Sequence, residues 1–250
     1  MWDDPKAMNA LAATLATIAL ALIALGAVAW GARRDAFAFR EVVIATPLAR
    51  SSPAELEAAI RGELAGTFFT LDLERARESL RRVPWVRGVS LRRQWPGRLE
   101  VAVDEYEPYA RWGDVALVTP QGEVFAAAYD GELPQLDGPE GRAADVTARH
   151  REWSALVAPL GLDLRAVSVS ARGGWRVKAA SAGAPLSIEL GRDEPDARLA
   201  RFVAAYGRTI GALSRSGTRV GEVDLRYRNG FAARVPGFRE KPARRAEQKE

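Results

Sequence analysis

A chain of 250 residues with 36 Lys and Arg, 32 Asp and Glu, one histidine and no cysteine lacks the reagents for several chemistries. Disulfides, thiolate metal sites and cysteine nucleophiles are excluded, and the lone His150 has neither a histidine partner for a metal nor a G-x-S-x-G elbow to supply a serine. Much of the +4 excess sits after Phe238, where Arg239, Lys241, Arg244, Arg245 and Lys249 outnumber Glu240, Glu247 and Glu250; with no aromatic-interleaved basic stripe it reads as solvated surface, not a nucleic-acid face.

The first element is the apolar run Leu11 to Trp30, LAATLATIALALIALGAVAW, inside a charge-free window from Ala7 to Ala32. Roughly 20 helical residues cross the ~30 Å hydrocarbon core of a bilayer, and a helix pairs its own backbone groups, as lipid requires. Residues 1–10 then form a short tail and 11–31 a transmembrane helix. The alternative is a cleaved signal peptide, since Ala27-Val28-Ala29 is an A-x-A-like site. The run exceeds the roughly 7–15 residues of a signal core, and only Lys6 and the terminal amine precede it. Both readings export the body. Lys6 before the run and Arg33, Arg34 and Arg40 after it would by count favour a cytoplasmic body, but large domains translocate despite nearby charge. Orientation stays open on these residues alone.

A first soluble module spans 38–107. Arg40 to Ala45 is a β-branched strand. Ser52-Pro53-Ala54-Glu55 opens a helix through a capping box with proline at its first position. Leu56, Ala59, Ile60 and Leu64 follow at helical spacing, and Gly66 suits the stop. Thr67 to Thr70 reads as extended. Asp72 then caps a second helix with Leu73, Ala76, Leu80 and Val83 on its apolar face, ended by Pro84. Val89 and Leu91, then Leu99, Val101 and Val103, alternate with polar residues as strands, and Trp95-Pro96-Gly97 turns between them. The order is β-α-α-β-β.

These residues resemble a known module. Phe68-Phe69-Thr70-Leu71-Asp72, then LRRVPWV from Leu80 and LRRQWPGRLEV from Leu91, are similar to the POTRA module of the bacterial cell-division family FtsQ, also called DivIB. POTRA modules occur in other envelope proteins too, so this match alone leaves function open.

A second module spans 108–236. Tyr109 to Trp112, Ala116 to Thr119 and Glu123 to Phe125 are short strands, followed by a Gly-, Pro- and Asp-rich loop from Asp130 to Asp145. A helix from Thr147 to Leu160 carries Trp153, Leu156 and Leu160 inward and sets His150, between two arginines, on the surface. Leu164 to Ser170, Trp175 to Ala179 and Leu186 to Leu190 are strands, with Arg172-Gly173-Gly174 as a turn. One long helix from Asp193 packs Leu199, Phe202, Val203, Tyr206, Ile210 and Leu213 at spacings of 3 and 4. Val220 to Tyr227 and Gly230 to Val235 form a final hairpin through Arg228-Asn229, where Asn-Gly is a strong turn signal. Residues 237–250 read as a charged, disordered tail.

The second module is similar to the FtsQ β domain in Leu190-Gly191-Arg192, in Arg198 to Val203 (RLARFV), in Val223 to Tyr227 (VDLRY) and in Gly230. The fold class is therefore α+β: a single transmembrane helix, a POTRA domain, and a mainly antiparallel β domain with flanking helices. The resemblance implies a single-pass inner-membrane protein with a cytoplasmic start and a periplasmic body at the division septum. It implies no enzyme, no cofactor and no metal, but a divisome scaffold linking early division proteins to septal peptidoglycan synthesis. Its partners would be FtsB and FtsL, with FtsK, FtsW and FtsI reached through the POTRA module or the membrane segment. In the family, FtsB adds a strand to the last strand of the sheet. Arg226, Tyr227 and Asn229, with Arg172 in the preceding turn, match residues of that contact by motif position, and Gly230, Phe231, Ala233 and Val235 belong to the candidate edge strand. Val235 stands where relatives can carry a Trp, so an aromatic anchor is absent or replaced by Phe231. The rival roles are purely structural: Tyr227 packing the hairpin, Arg226 pairing with Asp224 or Glu222, and Asn229 serving the turn. Two further functions remain. A cell-wall hydrolase would use Asp104-Glu105 or Glu222-Asp224; a POTRA chaperone for outer-membrane proteins would need a barrel or repeated modules.

Overall fold

A computed structural model describes residues 5–32, 34, 37–38, 41–63, 67–181 and 184–235. The chain divides into two compact units, Met1–Tyr106 and Glu107–Glu250.

Unit 1 begins with helix α1, Pro5–Ala32. Its segment Met8–Ala32 is long and apolar enough to cross a membrane, and none of it is buried within the chain. The helix takes in residues 5–10, read above as tail, because nothing from Pro5 onward breaks it.

The rest of unit 1 has the expected β-α-α-β-β order. Strand β1 is Glu41–Ile44 and helix α2 is Pro53–Ile60, with both halves of the Ser52/Glu55 capping box in place. Helix α3, Leu73–Arg81, starts where the Asp72 carboxylate accepts from the backbone N–H groups of Glu74 and Arg75. Strands β2, Val86–Gln94, and β3, Arg98–Glu105, form the antiparallel hairpin. The sheet order is β1-β3-β2, with β1 parallel to β3. Strand β3 is central because its alternation turns Leu99, Val101 and Val103 onto Leu56, Ile60, Ala76 and Leu80. The loop before α2 is held by Glu105, whose carboxylate accepts from Ala49 N at 2.8 Å and Ser51 N at 2.7 Å. Burial raises the pKa of Glu105, but these backbone donors outweigh it and leave the group below its ordinary value.

One expectation fails here. Phe68 to Thr70 form a turn, not an extended segment. The Thr67 and Thr70 hydroxyls stand 3.2 Å apart, and Leu71 N donates to Thr67 O at 3.0 Å; such local bonds favour a turn over a ladder. Leu64 and Gly66, the expected end of α2, lie outside the described residues.

Unit 2 is a nine-stranded, mainly antiparallel sheet. In chain order it contains β4 Ala110–Trp112, β5 Ala116–Val118, β6 Val124–Phe125, β7 Gln135–Asp137, α4 Ala143–Val157, β8 Leu162–Val169, β9 Trp175–Ser181, β10 Ala184–Gly191, α5 Pro195–Tyr206, α6 Ile210–Arg215, β11 Glu222–Asp224 and β12 Ala232–Arg234. The sheet order is β12-β11-β10-β9-β8-β7-β4-β5-β6. Parallel pairing occurs between β10 and β11, β7 and β8, and β4 and β7. Helix α4 bridges β7 to β8, and α5 with α6 bridges β10 to β11, as parallel neighbours require. The two crossovers meet where Asp196 accepts from the Trp153 indole at 2.8 Å and from Arg149 at 2.8 Å.

Three readings of this unit are corrected. The Asp130–Asp145 loop contains β7, whose Leu136 is fully buried between β4 and β8. Helix α4 starts at Ala143, which turns Val146, His150, Trp153 and Val157 inward and leaves Leu156 exposed. His150 is therefore a core residue: Nδ1 lies 2.6 Å from the Tyr109 hydroxyl and Nε2 lies 3.2 Å from the Leu164 carbonyl. The single long helix is two, because the Thr209 hydroxyl donates back to Ala205 O at 2.8 Å. Gly207 beside it is a costly helix residue, and α6 restarts at Ile210.

Candidate functional site

Among the described residues no strand lies beyond β12, so its outer backbone edge is free of sheet pairing. Ala232, Ala233 and Arg234 are all exposed, whereas Val223 opposite them in β11 is fully buried. The edge is thus a polar-backboned lip on a rigid sheet.

The lip is fastened at three points. Arg234 Nη1 reaches Glu222 Oε2 across the strands at 3.3 Å. Arg226 donates to both Asp224 oxygens, from Nε at 2.9 Å and Nη2 at 2.7 Å, and its own N–H donates to Oδ1 at 3.0 Å. That guanidinium holds the Asp224 carboxyl below its ordinary range, and the carboxylate in turn raises the pKa of Arg226. Phe231 sets its ring edge-on to Phe202, 5.8 Å between centroids.

Gly191 lets the Arg226 side chain approach the backbone closely. It has φ +77, and a Cβ there would sit 2.9 Å from Arg226 Cγ. Gly191 pairs with Trp175 at the start of β9, so the Ser170–Gly174 turn carrying exposed Arg172 belongs to the same end of the sheet. A Cβ on Gly173 would in turn come within 3.4 Å of Arg192 Cγ.

The structure sorts the expected docking residues. Tyr227 is 58% exposed, so it does not pack the hairpin. Asn229 and Gly230 are exposed in a seven-residue connection, 225–231, and neither has positive φ. The tight Asn-Gly turn is therefore corrected to a wide loop: Leu225 and Phe231 are drawn onto the core, which shortens both strands to three residues. Arg226 takes its rival role as the partner of Asp224. Ala233 lies on the open edge, and Val235 packs against the core. Phe231 faces Phe202, so it is committed to the interior and does not replace an outward aromatic.

The sequence reading missed a pocket of about 260 Å³ behind the connection, between α5 and residues 225–231. Arg198, Arg201 and Phe202 line it from the helix, and Leu225, Arg228 and Phe231 from the loop. The signal was present in the spacing of Arg198, Arg201 and Ala205, which share one helical face.

The carboxylates considered for hydrolysis are engaged. Glu105 binds backbone N–H groups, Asp104 lies 3.5 Å from Arg87, and Glu222 and Asp224 hold arginines. Among the described residues no three His, Asp or Glu side chains gather to hold a metal.

A leading helix apolar and long enough to cross a membrane, a β-α-α-β-β module and a mainly antiparallel β domain with an open terminal strand define the class of protein to which this chain is compared. Residues 37–106 match the family model of the FtsQ-type POTRA domain, and residues 110–226 that of the cell division protein FtsQ/DivIB C-terminal region. The chain is 38% identical to the cell division protein FtsQ of Burkholderia pseudomallei over 96% of each. It is 36% identical to the protein of that name from Nitrosospira multiformis, over 94% of this chain and 99% of the relative. The counterpart from Bordetella pertussis is also 36% identical, over 93% and 92%. The chain belongs to the FtsQ/DivIB family of cell division proteins. The C-terminal family match ends at Arg226, so Tyr227 and the β12 edge lie just past it.

Proposed function

We propose that this chain is a non-enzymatic divisome scaffold that binds FtsB, and with it FtsL, by adding an FtsB strand to β12. The observation that carries the reading is the bare edge: three exposed residues at the end of a sheet whose neighbouring strand buries Val223 in the core. Main-chain N–H and C=O groups on such an edge supply affinity, and flanking side chains supply choice of partner. Tyr227 is the side chain best placed for that choice, with Asn229 and Gly230 on the rim, Ala233 on the strand and Arg172 on the neighbouring turn. Arg226 acts indirectly, holding Asp224 and the start of the connection.

In this reading α1 is the inner-membrane anchor, residues 1–10 face the cytoplasm and both units work in the periplasm at the septum. FtsK, FtsW and FtsI would be met through the POTRA module or α1. The arginine count after the span opposes this orientation weakly, and the translocation of large domains overrides it.

The test is a titration of the full chain in lipid nanodiscs with a peptide from the carboxy-terminal part of FtsB. Saturable binding, with amide-exchange protection gained at Ala232–Arg234, is expected. Binding that leaves those amides unprotected would move the site elsewhere, and no binding would remove the reading.

A further inference from the structure

A second exposed feature lies in unit 1, beside the Ala32 end of α1. Outside α1, the large apolar side chains of unit 1 that are exposed among the described residues are Phe69, at 54%, and Trp95, at 63%. They come from different elements: Phe69 from the turn before α3, and Trp95 from the β2–β3 connection. With Phe37 and Phe68 they form one ring cluster. Phe37 lies 5.3 Å from Phe69 and 6.0 Å from Trp95, and Phe68 lies 5.3 Å from Phe69 and 5.6 Å from Trp95. None of the four belongs to the hydrophobic core of the unit.

The cluster is tied to the end of the helix. Ala32 has one of the terminal carbonyls that no helical N–H reaches, and the Thr67 hydroxyl donates to it at 2.5 Å. Phe68 N donates to Phe37 O at 2.7 Å, and Ala38 bridges Thr67. Helix α1 carries the run Leu11–Trp30, which covers about 30 Å at ~1.5 Å per residue, the thickness of the hydrocarbon core. Its Ala32 end therefore emerges at headgroup depth. The last turn carries the same signature, with the Arg34 guanidinium 3.6 Å over the exposed Trp30 ring. Trp rings, apolar with one polar N–H, concentrate in that layer; Trp30 and Trp95 are of this kind, and the three phenylalanines add apolar area beside Trp95.

We infer that the Phe37–Phe68–Phe69–Trp95 cluster seats in the interfacial layer of the bilayer that α1 crosses, so that lipid is the ligand of this face of the POTRA module. The inference rests on α1 being a membrane span. It gives the module a second attachment besides the chain itself, and so a fixed face toward the membrane.

The absence of cysteine makes the test direct. Single variants Leu20→Cys, Phe69→Cys, Arg82→Cys and Gln94→Cys of the full chain carry a nitroxide in vesicles of phosphatidylcholine and phosphatidylglycerol. Collision with oxygen is compared with collision with a water-soluble nickel chelate. Arg82 is the aqueous reference: it is exposed and lies before the far end of β2, whose Val86 stands about 26 Å from Gln94 at ~3.3 Å per residue. Labels at 69 and 94 are expected to shift toward oxygen relative to 82, with 20 deepest. Gln94→Cys leaves all four rings in place and so decides the matter if Phe69→Cys disturbs the cluster. A label at 94 that matches 82 while 20 reads deep overturns the seating and leaves the span intact. A label at 20 that reads aqueous overturns the span and the seating together. Because the vesicles hold no other protein, a lipid signature there also excludes a protein partner as its source.

Discussion

Strands β6 and β12 are the two ends of one nine-stranded sheet, yet the fold treats them differently. The turn before β6 is pressed under α4: a Cβ on Gly122 would lie 2.2 Å from Ala144 Cα, and Arg151 donates to Pro120 O at 2.7 Å. Strand β6 is only two residues long and its Phe125 is buried. An exposed edge invites stray pairing, and a short strand under a helix is one way to prevent it. Strand β12 has no such cover among the described residues, and all three of its side chains are exposed. One edge of the sheet serves stability and the other is left available.

The comparison breaks if mutations on the two sides act alike. His150→Ala, on the covered side, has the largest expected effect. It removes a buried ring bonded to Tyr109 and Leu164, and should cost about 2–4 kcal/mol of stability through the cavity and the unpaired groups. Chemical denaturation measures this, and affinity per folded molecule should not change. Loss of FtsB affinity with stability intact would erase the distinction.

The same residue sharpens the comparison through pH. Burial lowers the pKa of His150 from its ordinary 6.5, although the Leu164 carbonyl opposes the shift. The unfolded chain therefore binds the proton first as pH falls, and stability declines from about pH 6.5 downward while remaining full above it. The carboxylates held below their ordinary range, Glu105, Asp196 and Asp224, lose their contributions only at lower pH. A thermal-melting series from pH 7 to 5 should slope for the parent chain and be flatter for His150→Gln.

On the open side, Tyr227→Ala should weaken the FtsB peptide about tenfold, roughly 1.4 kcal/mol, as loss of an exposed aromatic contact does. Its melting temperature should match the parent, because Tyr227 is not packed. Arg226→Ala should have the smallest effect on affinity, below that of Tyr227→Ala, because its guanidinium is already engaged by Asp224. A titration in which Arg226→Ala exceeds Tyr227→Ala would mean that the arginine leaves Asp224 for the partner.

Where local free energies decide, the sequence was sufficient. The uncharged run before Ala32, the Ser52/Glu55 box, the Asp72 cap and the alternation of Leu99, Val101 and Val103 each fix their element through bonds and burial within a few residues. The burial of His150 is also legible, in the spacing Val146, His150, Trp153, Val157 of a helix that starts at Ala143. The tertiary structure alone decided the rest. Leu136 makes a strand because β4 and β8 flank it, since three residues between turn formers carry too little periodicity to declare themselves. The Asn229-Gly230 signal gave way because burying Leu225 and Phe231 on the sheet outweighs a tight turn. The Phe68–Trp95 cluster joins residues far apart in the chain, and no local pattern states which distant side chains will meet.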